Sequence, residues 1–166
     1  MKKSVIMFLM MSLGLFAYDI NSVDVKFTAF KTPAKVGVGG SFDNVQIVEK
    51  KSAESIEAML QGLSVKIQTK SVNSGNEGRD KTLVSDFFHV QFIHAIAAKI
   101  VTVTPESLVV EVSMNNKTVA VPMPYDVKEN TITAKGYIDL ADFDMLPSLK
   151  GINQACYDLH QGKTWQ

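Results

Sequence analysis

The chain has 166 residues, of which 46% are apolar and 20% charged. That is core-forming material for one ordinary domain, too apolar for a disordered chain and too charged for a membrane bundle. Seventeen basic and seventeen acidic side chains cancel, so the basic excess expected of a nucleic-acid binder is missing. A single Cys excludes an internal disulfide and a cysteine-built zinc site.

The chain begins with Lys2 and Lys3, an apolar run from Val5 to Phe16, and the small residue Ala17. A short basic start, a dozen apolar residues and a small residue at the end describe a secretory signal peptide, cleaved after Ala17. The run is too short to span a bilayer, which takes about 20 helical residues. An uncleaved anchor is the alternative. No Cys follows the run, so a lipoprotein anchor is not expected. Residues 1–17 hold two Lys and no acid, so the mature chain, 18–166, carries 15 basic and 17 acidic groups, a net of −2. It is expected to be one soluble domain in the periplasm or outside the cell, with a free thiol at Cys156 and no membrane span.

The dominant period along the mature chain is two, the mark of a strand with one buried face. Val23 to Thr28 alternates apolar and polar. Ala34 to Val48 reads as one extended stretch, and Gly39-Gly40 marks a bulge or bend in it. Ser52 is positioned to cap a helix over Ala53 to Leu63, with Ile56, Met59, Leu60 and Leu63 on one side. Alternation returns in Ser64 to Val72, Ala95 to Thr104, Ser107 to Met114, Thr118 to Val127 and Thr131 to Leu140. Asn115-Asn116 is a two-residue hairpin signal, and Glu129-Asn130 is another turn. Pro122 and Pro124 lack N–H groups, so their strand needs an edge or bulge portion. A last helix is predicted over Leu149 to Gln161, capped by Ser148 and stopped by Gly162. Seven or eight antiparallel strands joined by tight hairpins predict an all-β fold. The favoured form is an up-and-down β-barrel of about eight strands with one or two short helices and a C-terminal helix. A barrel of that size has room for side chains or one slender ligand.

The most specific stretch is Ser71-Val72-Asn73-Ser74-Gly75-Asn76-Glu77-Gly78-Arg79-Asp80-Lys81-Thr82-Leu83-Val84-Ser85-Asp86-Phe87-Phe88. Its Gly/Asn turn, Arg-Asp pair and acidic-Phe-Phe corner resemble the YceI-like family of bacterial proteins. Val23 to Phe30 resembles that family's first strand, Gly39 to Phe42 its glycine-x-phenylalanine segment, and Tyr137 to Phe143 its last strand and acidic-Phe turn. Leu149 to Gln166 departs from the pattern by adding a helix. The resemblance implies a lipocalin-like barrel with a long apolar tunnel. It also implies an isoprenoid or fatty-acyl ligand, frequent homodimers, export, no resident cofactor and no enzymatic chemistry.

Candidate site residues follow. Phe27, Phe42, Val65, Ile67, Ile100, Val110, Val112, Val121 and Ile138 lie on strand faces that read as apolar, where they would line the tunnel or pack beneath helices. Phe87, Phe88 and Phe92 sit where the chain is expected to re-enter a strand; on it Phe88 and Phe92 would share a face and Phe87 oppose them. Arg79 and Asp80 precede a short helical turn expected to end at Asp86. They would meet a lipid head group or, as Arg often does, tie a loop to its neighbours. Cys156 and His160, four apart on the last helix, would share a face. They could serve in a redox or haem-linked module, an intermolecular disulfide, or simply as a buried thiol beside a solvated imidazole. His89 and His94 have opposite strand parity, which argues against a shared metal. Gly37 to Gly40 lacks the Lys and helix of a phosphate loop, and Ser41, Ser64 and Ser85 lack a nucleophile elbow. No catalytic or metal-binding residue is expected.

Overall fold

The computed structural model describes residues 17–31 and 36–160, with the backbone alone at Lys31, Leu159 and His160. The segments 1–16 and 161–166, which include most of the expected signal peptide and the end of the expected last helix, lie outside the described residues.

Among the described residues nine antiparallel strands form two sheets. β1 (Lys26–Lys31), β2 (Val36–Phe42) and β5 (Val72–Asn73) make a three-stranded sheet in the order β1-β2-β5. β3 (Val45–Glu49), β4 (Ser64–Gln68), β6 (Ala95–Val103), β7 (Ser107–Met114), β8 (Lys117–Lys128) and β9 (Thr131–Ala134) follow one another across a six-stranded sheet. The protein is therefore mostly β, a curled antiparallel sheet with a few short helices and a C-terminal helix. The expected closure into one barrel of about eight strands is not what the pairings give: among the described residues no ladder joins the two sheets.

The reason is a shared corner. Each of two expected strands, 34–48 and 64–72, is cut in two at the same place. β2 ends with Phe42 paired to Val72, and β3 starts with Val45 paired to Ile67. Between them Asp43-Asn44 and the 3-10 turn Thr69–Ser71 turn together. Side chains hold this corner. Ser71 Oγ accepts from Asn44 N at 3.0 Å and donates to the Gln68 carbonyl at 2.7 Å. Thr69, fully enclosed, donates its hydroxyl to the Ile93 carbonyl at 2.7 Å. The bend expected at Gly39-Gly40 is displaced to this corner. Gly40 serves close packing instead: a Cβ there would lie 2.5 Å from the Phe27 ring. Register shifts at Ile47/Glu49 and Ile100/Thr102 add curl within the large sheet.

The meander β6-β7-β8-β9 follows the alternation closely. Asn115 and Asn116 take φ of 50° and 58° between paired Met114 and Lys117, the left-handed pair a two-residue hairpin requires. β9 covers only Tyr125–Lys128 of β8. Pro122 and Pro124 thus lie where the far side carries no strand, flanked instead by coil whose Lys135 N–H donates to the Pro124 carbonyl at 3.2 Å. The strand expected through Leu140 stops at Ala134, and Ile138 lies in coil, 49% exposed.

The helices differ from expectation in extent. α1 (Ile56–Leu60) is capped by Ser55, whose Oγ accepts from Ala58 N at 3.1 Å. It starts late because Ala53 is bridged to Tyr18 through two backbone bonds, which holds it extended. α2 (Glu77–Leu83) is capped by Asn76 and runs on through a π turn, Val84–Phe88, and a 3-10 turn, His89–Gln91. Phe87 and Phe88 are therefore helical, and no strand re-entry occurs before Ala95. α3 (Leu146–Ala155) starts ahead of Ser148, with Pro147 in its first turn, where a fixed φ and a missing N–H fit. Ser148 is not its cap; it is buried and donates to Gln91 Oε1 at 2.8 Å. α3 gives way at Cys156, and α4 (Tyr157–His160) follows as a separate turn.

Candidate ligand-binding face

Alternation gives the large sheet an apolar inner face. On β7, Leu108, Val110, Val112 and Met114 point inward; on β8, Val119, Val121, Met123 and Tyr125 do so, while Thr118, Ala120, Pro122 and Pro124 face solvent. Two clusters occupy this face. One gathers Val72, Phe88, Ile93, Met114, Phe143 and Met145 beneath the π turn and α3. The other gathers Met59, Leu60, Leu63, Leu108 and Val110 beneath α1.

The first cluster is tightly closed: Phe143 and Met145 are 0% exposed, and Phe27, Phe42, Phe88 and Phe87 form a chain of rings with centroids 5.5, 6.2 and 5.0 Å apart. Half-buried apolar side chains rim both clusters, Ile96, Val119 and Leu140 the first, and Val23, Ile47, Ile100, Met123 and Ile132 the second. An open cavity of about 390 Å3 is lined by Val23, Phe42, Val45 and Ile47, with Asn21, Ser22, Asp24 and Asp43 around them. Its volume is at the lower end for a ligand pocket. The Tyr125 hydroxyl donates to the Thr104 carbonyl at 3.0 Å. Its pKa is raised by loss of solvation and, less, by the charge of Glu57.

The expected site residues divide as follows. Val65, Ile67, Val110 and Val121 are buried inward on the large sheet, and Ile100 and Val112 are half-buried there. Phe27, Phe42, Phe87 and Phe88 join the ring chain. Phe92 does not share a strand face with Phe88; it ends the 3-10 turn at φ 57° and is 72% exposed. It lines a second open groove, about 870 Å3, on the outer face with His94, Ala97, Lys99 and Glu111. Ile138 is likewise absent from the inner face.

Arg79 and Asp80 both hold the loop before α2. Arg79 donates from Nε to Ser74 Oγ at 2.8 Å and from Nη2 to the Ser74 carbonyl at 2.6 Å. Asp80 accepts from the Ser74 N–H at 2.8 Å and from the Ser74 hydroxyl. This geometry is a loop tie, with both side chains half-buried away from the cavity. Cys156 is half-buried at the end of α3; α4 follows it, and the side chain of His160 lies outside the described residues. His89 and His94, expected on opposite faces, come within 5.9 Å by ring centroid, because His89 sits on a turn and not on a strand. Among the described residues no three His, Cys, Asp or Glu side chains gather as a metal site, and no helix is long and apolar enough to cross a membrane.

The half-buried floor of the cavity is what sequence reasoning missed. Val23, Val45 and Ile47 alternate like the residues it found, but their meeting depends on the corner, which no local pattern marks.

Comparison with known proteins adds the following. The family model described as a YceI-like domain matches residues 16–158. No curated protein sequence matches. A solved polyisoprenoid binding domain from Saccharophagus degradans, implicated in plant cell wall breakdown, is 11% identical with a TM-score of 0.52, covering 82% of this chain and 83% of its own. The YceI protein of Campylobacter jejuni is 17% identical with a TM-score of 0.51, covering 87% and 85%. At such identities the two structures support the fold alone, while the matched segment spans most of the sequence: the chain belongs to the YceI-like family.

Proposed function

We propose that this protein holds one long apolar chain, an isoprenoid or fatty-acyl tail, against the inner face of its large sheet, and carries or sequesters it in the periplasm or outside the cell. The observation that carries this reading is an open cavity whose apolar lining, Val23, Phe42, Val45 and Ile47, stays half-buried. Single half-covered apolar side chains are ordinary, but a contiguous apolar patch at an opening marks a binding site. Leaving them short of cover is unfavourable unless something else covers them. The binding of a polyisoprenoid by the Saccharophagus degradans relative points the same way.

The mechanism is shielding, with no bond made or broken. Each methylene taken from water contributes about 0.8 kcal/mol, so a tail of about twenty carbons has ample gross driving force. Association and ordering then remove much of it. The inner face offers little polar competition, since the Tyr125 hydroxyl is committed to Thr104.

Native mass spectrometry of protein exported by its own host tests the reading. The expected result is a stoichiometric, organic-extractable ligand that is lost on delipidation and regained from added isoprenoid or fatty amide. A ligand-free protein that refuses both additions contradicts it.

A further inference from the structure

We propose that residues 135–138 form a gate: a strap along the edge of β8 that two prolines keep from zipping into the sheet, and whose lifting and closing sets how fast a ligand tail enters and leaves. This rests on the apolar-chain reading above and adds a conformational step to it.

The β8–β9 ladder ends with Tyr125 opposite Ala134, yet the chain runs on beside β8. The Lys135 N–H donates to the Pro124 carbonyl at 3.2 Å. A Cβ on Gly136 would lie 2.8 Å from Met123 Cγ and 3.0 Å from Val121 Cγ1, two inward side chains. Carried on in the same register, Tyr137 would stand opposite Pro122 and Ile138 opposite Val121. Missing donors stop this ladder. The Tyr125 N–H points the other way, to the Glu106 carbonyl at 3.3 Å, so alternation turns the polar groups of residues 122 and 124 toward the strap. Both are Pro and have no N–H to give. The strap is offered two carbonyls and no donor, and among the described residues it takes only the bond from Lys135.

Both ends of the strap are fixed. β9 precedes it; after it, Asp139 Oδ1 accepts from the Ala141 N–H at 2.8 Å and Leu140 packs against the closed cluster. Between these points Tyr137 is 91% and Ile138 49% exposed. Zipped, the same residues would alternate: Ile138 would turn inward beside Val121, next to the Met123 that borders the open cluster, and Tyr137 would stay outside. A full ladder would shut this edge for good, and no bond at all would leave it loose. Half a ladder lets the strap lift at small cost and carry one isoleucine back over a bound tail.

Stopped-flow fluorescence with cis-parinaric acid, a long tail that brightens on leaving water, tests the gate on the delipidated full mature chain. Pro122→Val/Pro124→Val restores both donors; Lys135→Pro removes the one bond the strap makes. The first is expected to slow association and release about tenfold each, the scale of the regained hydrogen bonds, with little change in affinity. The second speeds both severalfold. Hydrogen exchange supplies the structural readout: the Tyr137 amide exchanges almost freely in the wild type and is protected about tenfold or more in the double Val variant. Protection gained with ligand rates unchanged overturns the gate and leaves the prolines as guards of a sheet edge. A Tyr137 amide as protected in the wild type as those of β8 overturns the half-ladder. Should the double variant not fold, unchanged rates in Lys135→Pro overturn the gate alone. Failure of the wild type to bind the probe overturns the apolar-chain reading, and this inference with it.

Discussion

The two ends of the inner face are built from the same residue types but finished differently. At one end Phe143, Met145 and Ser148 are fully enclosed, and α3 presses on the π turn so closely that a Cβ on Gly151 would lie 2.3 Å from the Asp86 carbonyl oxygen. At the other end α1 contributes Met59 and Leu60 but spans only five residues. Ile47, Ile100 and Met123 are left half-covered around it. On the function proposed above, stability and binding are separated along one sheet. A lid long enough to enclose the open end would improve the core and remove the room for a ligand.

Substitutions can break or sharpen that contrast. Phe143→Ala, in the closed cluster, is expected to cost about 3–5 kcal/mol in denaturant unfolding. A loss near 1 kcal/mol would mean that this end is not the closed one. Gly151→Ala sharpens the point through its sign. In an ordinary helix the change stabilises by about 1 kcal/mol, whereas here the new methyl meets backbone, so a loss of about 2 kcal/mol is predicted. Ile47→Ala, at the open end, is expected to cost only about 1–2 kcal/mol because the side chain is half-buried to begin with, while ligand affinity falls severalfold. Equal effects of Ile47→Ala and Phe143→Ala on stability would erase the distinction. Phe92→Gly is expected to stabilise by about 1 kcal/mol, since it relieves a left-handed backbone at a ring that is mostly solvated, and to leave ligand binding unchanged.

The smallest effect is on pH dependence. Tyr125 keeps its proton to higher pH in the folded state than in the unfolded one. Its contribution is therefore complete below the ordinary phenol range and is lost as pH rises through the folded pKa. Tyr125→Phe should remove that alkaline loss, read as the slope of the unfolding midpoint against pH.

The contrast also marks what was legible in the sequence. The meander from Ala95 to Thr131 was readable because its alternation is sustained, apart from the shift at Ile100/Thr102, and its turns carry Asn-Asn and Glu-Asn. The inward sides of Val65, Ile67, Val110 and Val121 followed from parity alone. The corner at Asp43-Asn44 was not readable, because its cause is tertiary: Thr69 and Ser71 bond to residues 24 and 27 positions away. The helical run through Phe88 was misread as an approach to a strand. Its signal was present in Leu83, Val84, Phe87 and Phe88, spaced four apart in pairs as one helix face demands. Phe92 and Ile138 were placed on the inner wall by strands that end elsewhere. The Arg79-Asp80 pair could be read as a tie, but not which residue it ties.

Residue-resolved hydrogen exchange of the delipidated protein, with and without oleamide, addresses the central claim most directly. The account predicts added protection at the backbone amides of Val45–Glu49 and Ile100–Val103, beside the open cluster and the cavity, and no change around Phe143–Met145. Protection confined to the closed cluster, or no protection anywhere at saturating ligand, would contradict it.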